Sequence, residues 1–196
     1  MRSILNKVVL VFAAAFACST LHAQSPSVVY GRTTLQLNSN FVNSFQGQGA
    51  VLTDLDFHPF LNNSVTFPAK GGAVDMGSAK GEVYHSGGIL AVAGGNTIRI
   101  QDLVLDTSNP GAPLFTALVV VNTLVQGRMP LFNVQPPPGF SLPLPLQADI
   151  LQENGLGLFL TSAMASEINN VFGGQVVQAG TYIGTANAYL LFSPTN

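Results

Sequence analysis

Charge is scarce in this chain. Lysine, arginine, aspartate and glutamate together make up 8% of its residues, against roughly a quarter in an average globular protein. Its surface must therefore be dressed with Ser, Thr, Asn, Gln and Gly. Of seven basic residues, Arg2 and Lys7 lie at the extreme N-terminus; the five others are scattered and face nine acidic residues, a net charge of −4 with histidine neutral. Nothing basic is clustered enough to hold a phosphate backbone, which excludes nucleic acid as a partner.

Cysteine is almost absent. The one example, Cys18, lies in a segment that reads as a secretory signal: Arg2 and Lys7 form the charged start, residues 8–17 the apolar run, and Leu21-His22-Ala23 the cleavage site before Gln24. That run is too short to span a bilayer, so the mature chain is expected to carry no transmembrane segment. Cleavage of 23 residues from 196 leaves 173, enough for one domain with a substantial core, and leaves no thiol for a disulfide. A competing reading makes Cys18 the acylated first residue of a lipoprotein, but Phe16 stands where such signals carry a small residue. Secretion is the expectation.

What is abundant is β-pattern. Thr33, Leu35 and Leu37 alternate with polar neighbours as in a half-buried strand, and Asn38-Ser39-Asn40 offers a cap for a short helix carrying Phe41 and Phe45 before Gly47. The arrangement returns near the C-terminus. Leu158 and Leu160 precede Thr161-Ser162, then Met164, Ile168, Val171 and Phe172 at helical spacing, then Gly173-Gly174. This suggests an internal strand–helix duplication. Residues 51–57, 65–67, 82–85, 89–93, 97–105, 115–125 and 181–192 are β-rich and bounded by Gly, Pro or Asn. Gly94-Gly95-Asn96 predicts a tight hairpin. Pro136-Pro137-Pro138-Gly139, Pro143 and Pro145 predict an extended surface connection near residues 136–145 within the one domain, residues 24–196. The fold expected is an all-β antiparallel sandwich with two short helices.

The chemistry-bearing groups are few. Outside the signal, the histidines are His58 and His85. No Gly-x-Ser-x-Gly is present; in Gly77-Ser78-Ala79-Lys80-Gly81 the serine stands one place early with no strand leading into it. Glu153 and Glu167 form no glycosidase pair, and the glycine pairs lack a phosphate-cradling context. A non-enzymatic protein is expected. Asp54, Asp56 and His58 alternate, so on a strand they share one face; they are weak metal candidates against the plainer reading of a charged strand face that discourages edge pairing. In Gly81-Glu82-Val83-Tyr84-His85-Ser86-Gly87-Gly88, strand register puts Val83 and His85 inward and Glu82 and Tyr84 outward, and Gly87-Gly88 are read as turning the strand. An inward histidine is more often a hydrogen-bonded core residue than a ligand.

The Phe41/Phe45 helix, the His85-Ser86-Gly87-Gly88-Ile89 run and the Leu160-Thr161-Ser162-Ala163 start of the second helix together resemble the HtaA-type haem-binding domain of bacterial cell-envelope proteins. The resemblance follows the order of elements over most of the mature chain and is specific around residues 82–90. It implies the sandwich, haem as a ligand held by a tyrosine on the first helix, and a histidine of the glycine run hydrogen-bonded to that tyrosine. His85 matches the histidine, whereas the helix offers Phe41 and Phe45, which have no iron-ligating atom. The functional expectation is a cell-envelope or extracellular binding module for haem or another apolar ligand, with His85, Tyr84, Phe41 and Phe45 as ligand-binding candidates and an apolar small molecule or envelope component as partner. A structural or adhesive surface protein without a small ligand is the second reading, and a hydrolase the remainder.

Overall fold

A computed structural model describes residues 25–193. The signal segment 1–23, with Cys18, lies outside the described residues. In chain order the elements are β1 (Val28–Leu37), α1 (Ser39–Gln46), β2 (Val51–Asp54), β3 (Ser64–Val74), β4 (Gly81–His85), β5 (Gly88–Ala93), β6 (Asn96–Asp106), β7 (Leu114–Val121), β8 (Leu124–Gln135), β9 (Leu146–Gln147), β10 (Ile150–Leu160), α2 (Ser162–Phe172) and β11 (Tyr182–Phe192).

Period-two burial starts the fold: β1 buries Thr33, Leu35 and Leu37. Asn38 then stays extended, and its side chain accepts the Asn40 N–H at 2.8 Å, which starts α1. The second helix repeats this chemistry, with Thr161 accepting the Met164 N–H at 3.2 Å and Gly173 closing α2 in the left-handed region at φ 73°. The two strand–helix units flank β11, which pairs with both β1 and β10. Their helices meet where the Phe45 ring packs edge-on to Phe172 at 6.0 Å.

All strand pairings are antiparallel, and β6, β4, β3, β1, β11, β10, β8 and β7 follow one another around a ring that β7 closes on β6. β5 and β2 continue outward from the other half of β6, and β9 flanks β10. The fold is thus all-β with two short helices, as expected, and the two layers of the expected sandwich are opposite walls of one closed sheet. Its interior is filled by side chains such as Phe67, Phe115, Leu131, Leu158 and Ile183, each at most 1% exposed.

Three local expectations are corrected. The strand expected over residues 51–57 ends at Asp54, because the Asp54 carboxylate accepts the N–H groups of Asp56 and His58 and turns the chain there. Residues 115–125 are a hairpin, not one strand: Asn122 takes φ 53° and lets β8 return along β7. Gly87 and Gly88 do not turn the strand back. β4 pairs with the C-terminal part of β6 and β5 with its N-terminal part, so both belong to one line along β6, interrupted at Ser86 and Gly87. At that break the neighbour on the far side changes from β3 to β2. Gly87, at φ 90°, accepts the Asp102 N–H at 3.2 Å, and a Cβ on Gly88 would overlap the Ile100 carbonyl oxygen. The glycines fork the sheet.

Candidate functional site

His85 ends β4 with its ring inside the barrel, 4% exposed. Its Nδ1–H donates to the Leu103 carbonyl at 3.2 Å, which leaves Nε2 to accept the Thr33 hydroxyl at 2.8 Å. Thr33 is fully buried, and the Phe115 ring lies 6.5 Å from the imidazole. Burial lowers the His85 pKa from its ordinary 6.5 to about 4, outweighing the carbonyl hydrogen bond. The ring is therefore neutral and buried, with a partner for each nitrogen. Tyr84 faces outward, 46% exposed, with its hydroxyl on the Glu82 carboxylate; that bond raises its pKa.

Phe41 and Phe45 sit away from His85. Their rings pack edge-on at 5.1 Å over a cavity of about 30 Å³ enclosed with Leu37, Ile98, Leu160 and Met164 among its walls. The walls are apolar throughout, and the space is little more than a water would need. The tyrosine ligation that the resemblance implies is not found here. α1 carries no tyrosine, the hydrogen bond expected between histidine and a tyrosine phenol is made by Thr33, and the space between the helices and the barrel is core. The tyrosines lie elsewhere: Tyr30 is 64% and Tyr182 43% exposed, and Tyr189 stacks under Arg32 at 5.7 Å.

Asp54, Asp56 and His58 do come together, with one ligand atom of each within 4.8 Å of the others. They do so on a turn, not on a strand face. Asp54 Oδ1 accepts the Asp56 and His58 N–H groups at 2.9 and 2.8 Å, and Oδ2 accepts from His58 Nδ1 at 3.0 Å. The backbone bond from His58 is the main reason that the Asp54 pKa is lowered. Both oxygens are engaged in shaping the turn. Ser78, in the serine–glycine text, donates its hydroxyl to Asp75 Oδ1 at 2.5 Å and meets no histidine.

A second apolar space was not foreseen. Leu37, Ile98 and Leu160 mark the helix end of β1, β6 and β10; at the opposite end, Val83, Leu105, Val134, Leu151 and Leu190 wall a cavity of about 170 Å³. The proline-rich segment 136–145 caps it with Phe140, Leu142 and Leu144, held down where the Leu144 N–H donates to the Met76 carbonyl at 2.7 Å. Two polar side chains line the space. Thr107 gives its hydroxyl to backbone carbonyls, Gly81 at 3.1 Å among them. Glu153 enters the wall from a bulge of β10, where the pairing with β11 shifts between Glu153 and Leu156. Burial raises its pKa. The sequence signal available was an acidic residue at an inward position two places after Leu151.

No protein-family profile matches the sequence, and no curated protein matches it. Solved structures do. The C-terminal domain of HtaA from Corynebacterium glutamicum superposes with a TM-score of 0.67 at 17% identity, covering 86% of this chain and 100% of that one. The N-terminal domain of the same protein gives 0.62 at 15% identity, covering 85% and 99%. The haem-binding protein HtaB from that organism gives 0.58 at 11% identity, covering 86% and 94%. The chain has the HtaA-type fold. Among the described residues no helix is long and apolar enough to cross a membrane.

Proposed function

We propose that this HtaA-type barrel is an exported, non-catalytic bacterial binding module of one domain, and that its ligand is a small apolar molecule held at the proline-capped end. The observation that carries the reading is the 170 Å³ apolar cavity at that end, set against a helix end where only about 30 Å³ remains. A cavity of the first size holds a single ring. The fold's kinship with haem-binding HtaB supports small-molecule binding as the class of function, while Thr33, Phe41 and Phe45 speak against haem ligation in this chain. Export rests on the signal-like residues 1–23.

Thermal unfolding with benzyl alcohol tests this. The ligand is expected to raise Tm, and Leu105→Phe, which fills the cavity, to abolish the rise in a protein that still folds. Hemin is expected to give the spectrum of free hemin in the presence of protein. A Soret shift that His85→Ala reduces, or no stabilisation by benzyl alcohol, contradicts the proposal. A second reading, an adhesive surface protein, is favoured by the exposed Phe57 and Leu61, 71% and 81% exposed, on the β2–β3 connection. It predicts binding to cells or matrix that survives Leu105→Phe.

A further inference from the structure

We infer that the proline-capped cavity selects a compact apolar amine, its ring among Leu105, Val134 and Leu190 and its ammonium group on the Glu153 carboxylate. This rests on the binding reading above and names the ligand class of that site. One side chain of the cavity wall differs in kind from the rest. Around the space, Val74, Val83, Leu105, Val134, Leu151 and Leu190 are aliphatic, and the cap adds Phe140, Leu142 and Leu144. Glu153, half-buried, is the one charged side chain in that wall.

Among the described residues Glu153 has no basic partner. The ion pair found there joins Asp54 and His58 on the exposed β2 turn, Arg32 is stacked on Tyr189, and Arg128 donates to the Asp102 carbonyl and the Thr116 hydroxyl. Thr107, the other polar side chain of the wall, is bound to the Gly81 carbonyl. The half-buried Glu153 carboxyl, its pKa raised by burial, has no counter-charge among the described residues. No salt bridge of the described residues engages this carboxylate, which leaves it free to meet a ligand's charge at the edge of the apolar space. An ammonium group gives charge and donors together, and hydrogen bonds to a charged partner are the stronger kind. The volume, near that of cavities that take one benzene ring, limits the apolar body to a single ring or a short branched chain.

Binding of benzylamine, benzyl alcohol and toluene to the full mature protein at neutral pH, by calorimetric titration, tests the assignment. Benzylamine is expected to bind about tenfold or more tightly than benzyl alcohol. Glu153→Gln, close in shape, is expected to remove that preference and to leave toluene binding unchanged. Equal affinity for the amine and the alcohol in the parent protein, or a preference that survives Glu153→Gln, overturns the amine assignment while leaving an apolar site in place. Failure of all three probes to bind overturns the assignment together with the reading beneath it.

Discussion

Neutral His85 makes the stability of this fold depend on pH in a predictable direction. Its folded pKa of about 4 lies below the ordinary 6.5, so on acidification the unfolded chain takes up a proton that the folded one refuses. Stability is complete above pH 6.5 and is lost as pH falls from 6.5 towards 4, by about 3 kcal/mol at the limit. Urea unfolding at pH 7.5 and 4.8 is expected to show this loss in the parent, and His85→Asn to be weaker at pH 7.5 but to lose the His85-dependent part of the slope. An unchanged slope in the variant contradicts a buried neutral histidine. The inward face of His85 was legible because Val83 shares its strand parity. Its partner Thr33 was not, since 52 residues separate them and only the pairing of β1, β3 and β4 brings them together.

At the scale of elements, short helices carry little stability of their own, and α1 at eight residues is held by what its apolar face meets. Phe45, 3% exposed, packs against Phe41 and Phe172. Phe45→Ala is expected to cost about 3–5 kcal/mol, measured by urea unfolding, with the sheet retained in far-ultraviolet circular dichroism; a loss below 1 kcal/mol would mean that the helix end is loosely packed and open to a ligand. Both strand–cap–helix units were readable, because a change of period from 2 to 3.6 at a capping residue is a local signal. The β7–β8 hairpin was not, because Asn122 and Thr123 interrupt a continuous apolar run without glycine or proline. The Asp54 turn was hidden for a related reason: alternation of Asp54, Asp56 and His58 is equally the spacing of a carboxylate that caps its own turn.

For the whole molecule, closure of the ring decides where space is left. β6 reaches β4 and β5 on one side and β7 on the other, and the bulges in β6, β8 and β10 set how the walls approach. The helices fill one end of the barrel. Among the described residues the proline-rich segment borders the other, together with Ala79, Pro110 and Pro113 of neighbouring connections. Composition announced that segment as a surface connection; within it Leu144 is buried and Phe140 half-buried over the cavity, while Leu142 stays 47% exposed at its rim, and the wall they border comes from strands far apart in the chain. That is why the all-β class was readable and the site was not. The central claim, that ligand space lies at the proline-capped end while the helix end is core, is tested most directly by methyl-resolved nuclear magnetic resonance during titration with benzyl alcohol. Shifts confined to Val83, Leu105, Val134, Leu151 and Leu190 are the predicted result, and shifts centred on Leu37, Ile98, Leu160 and Ile168 would contradict it.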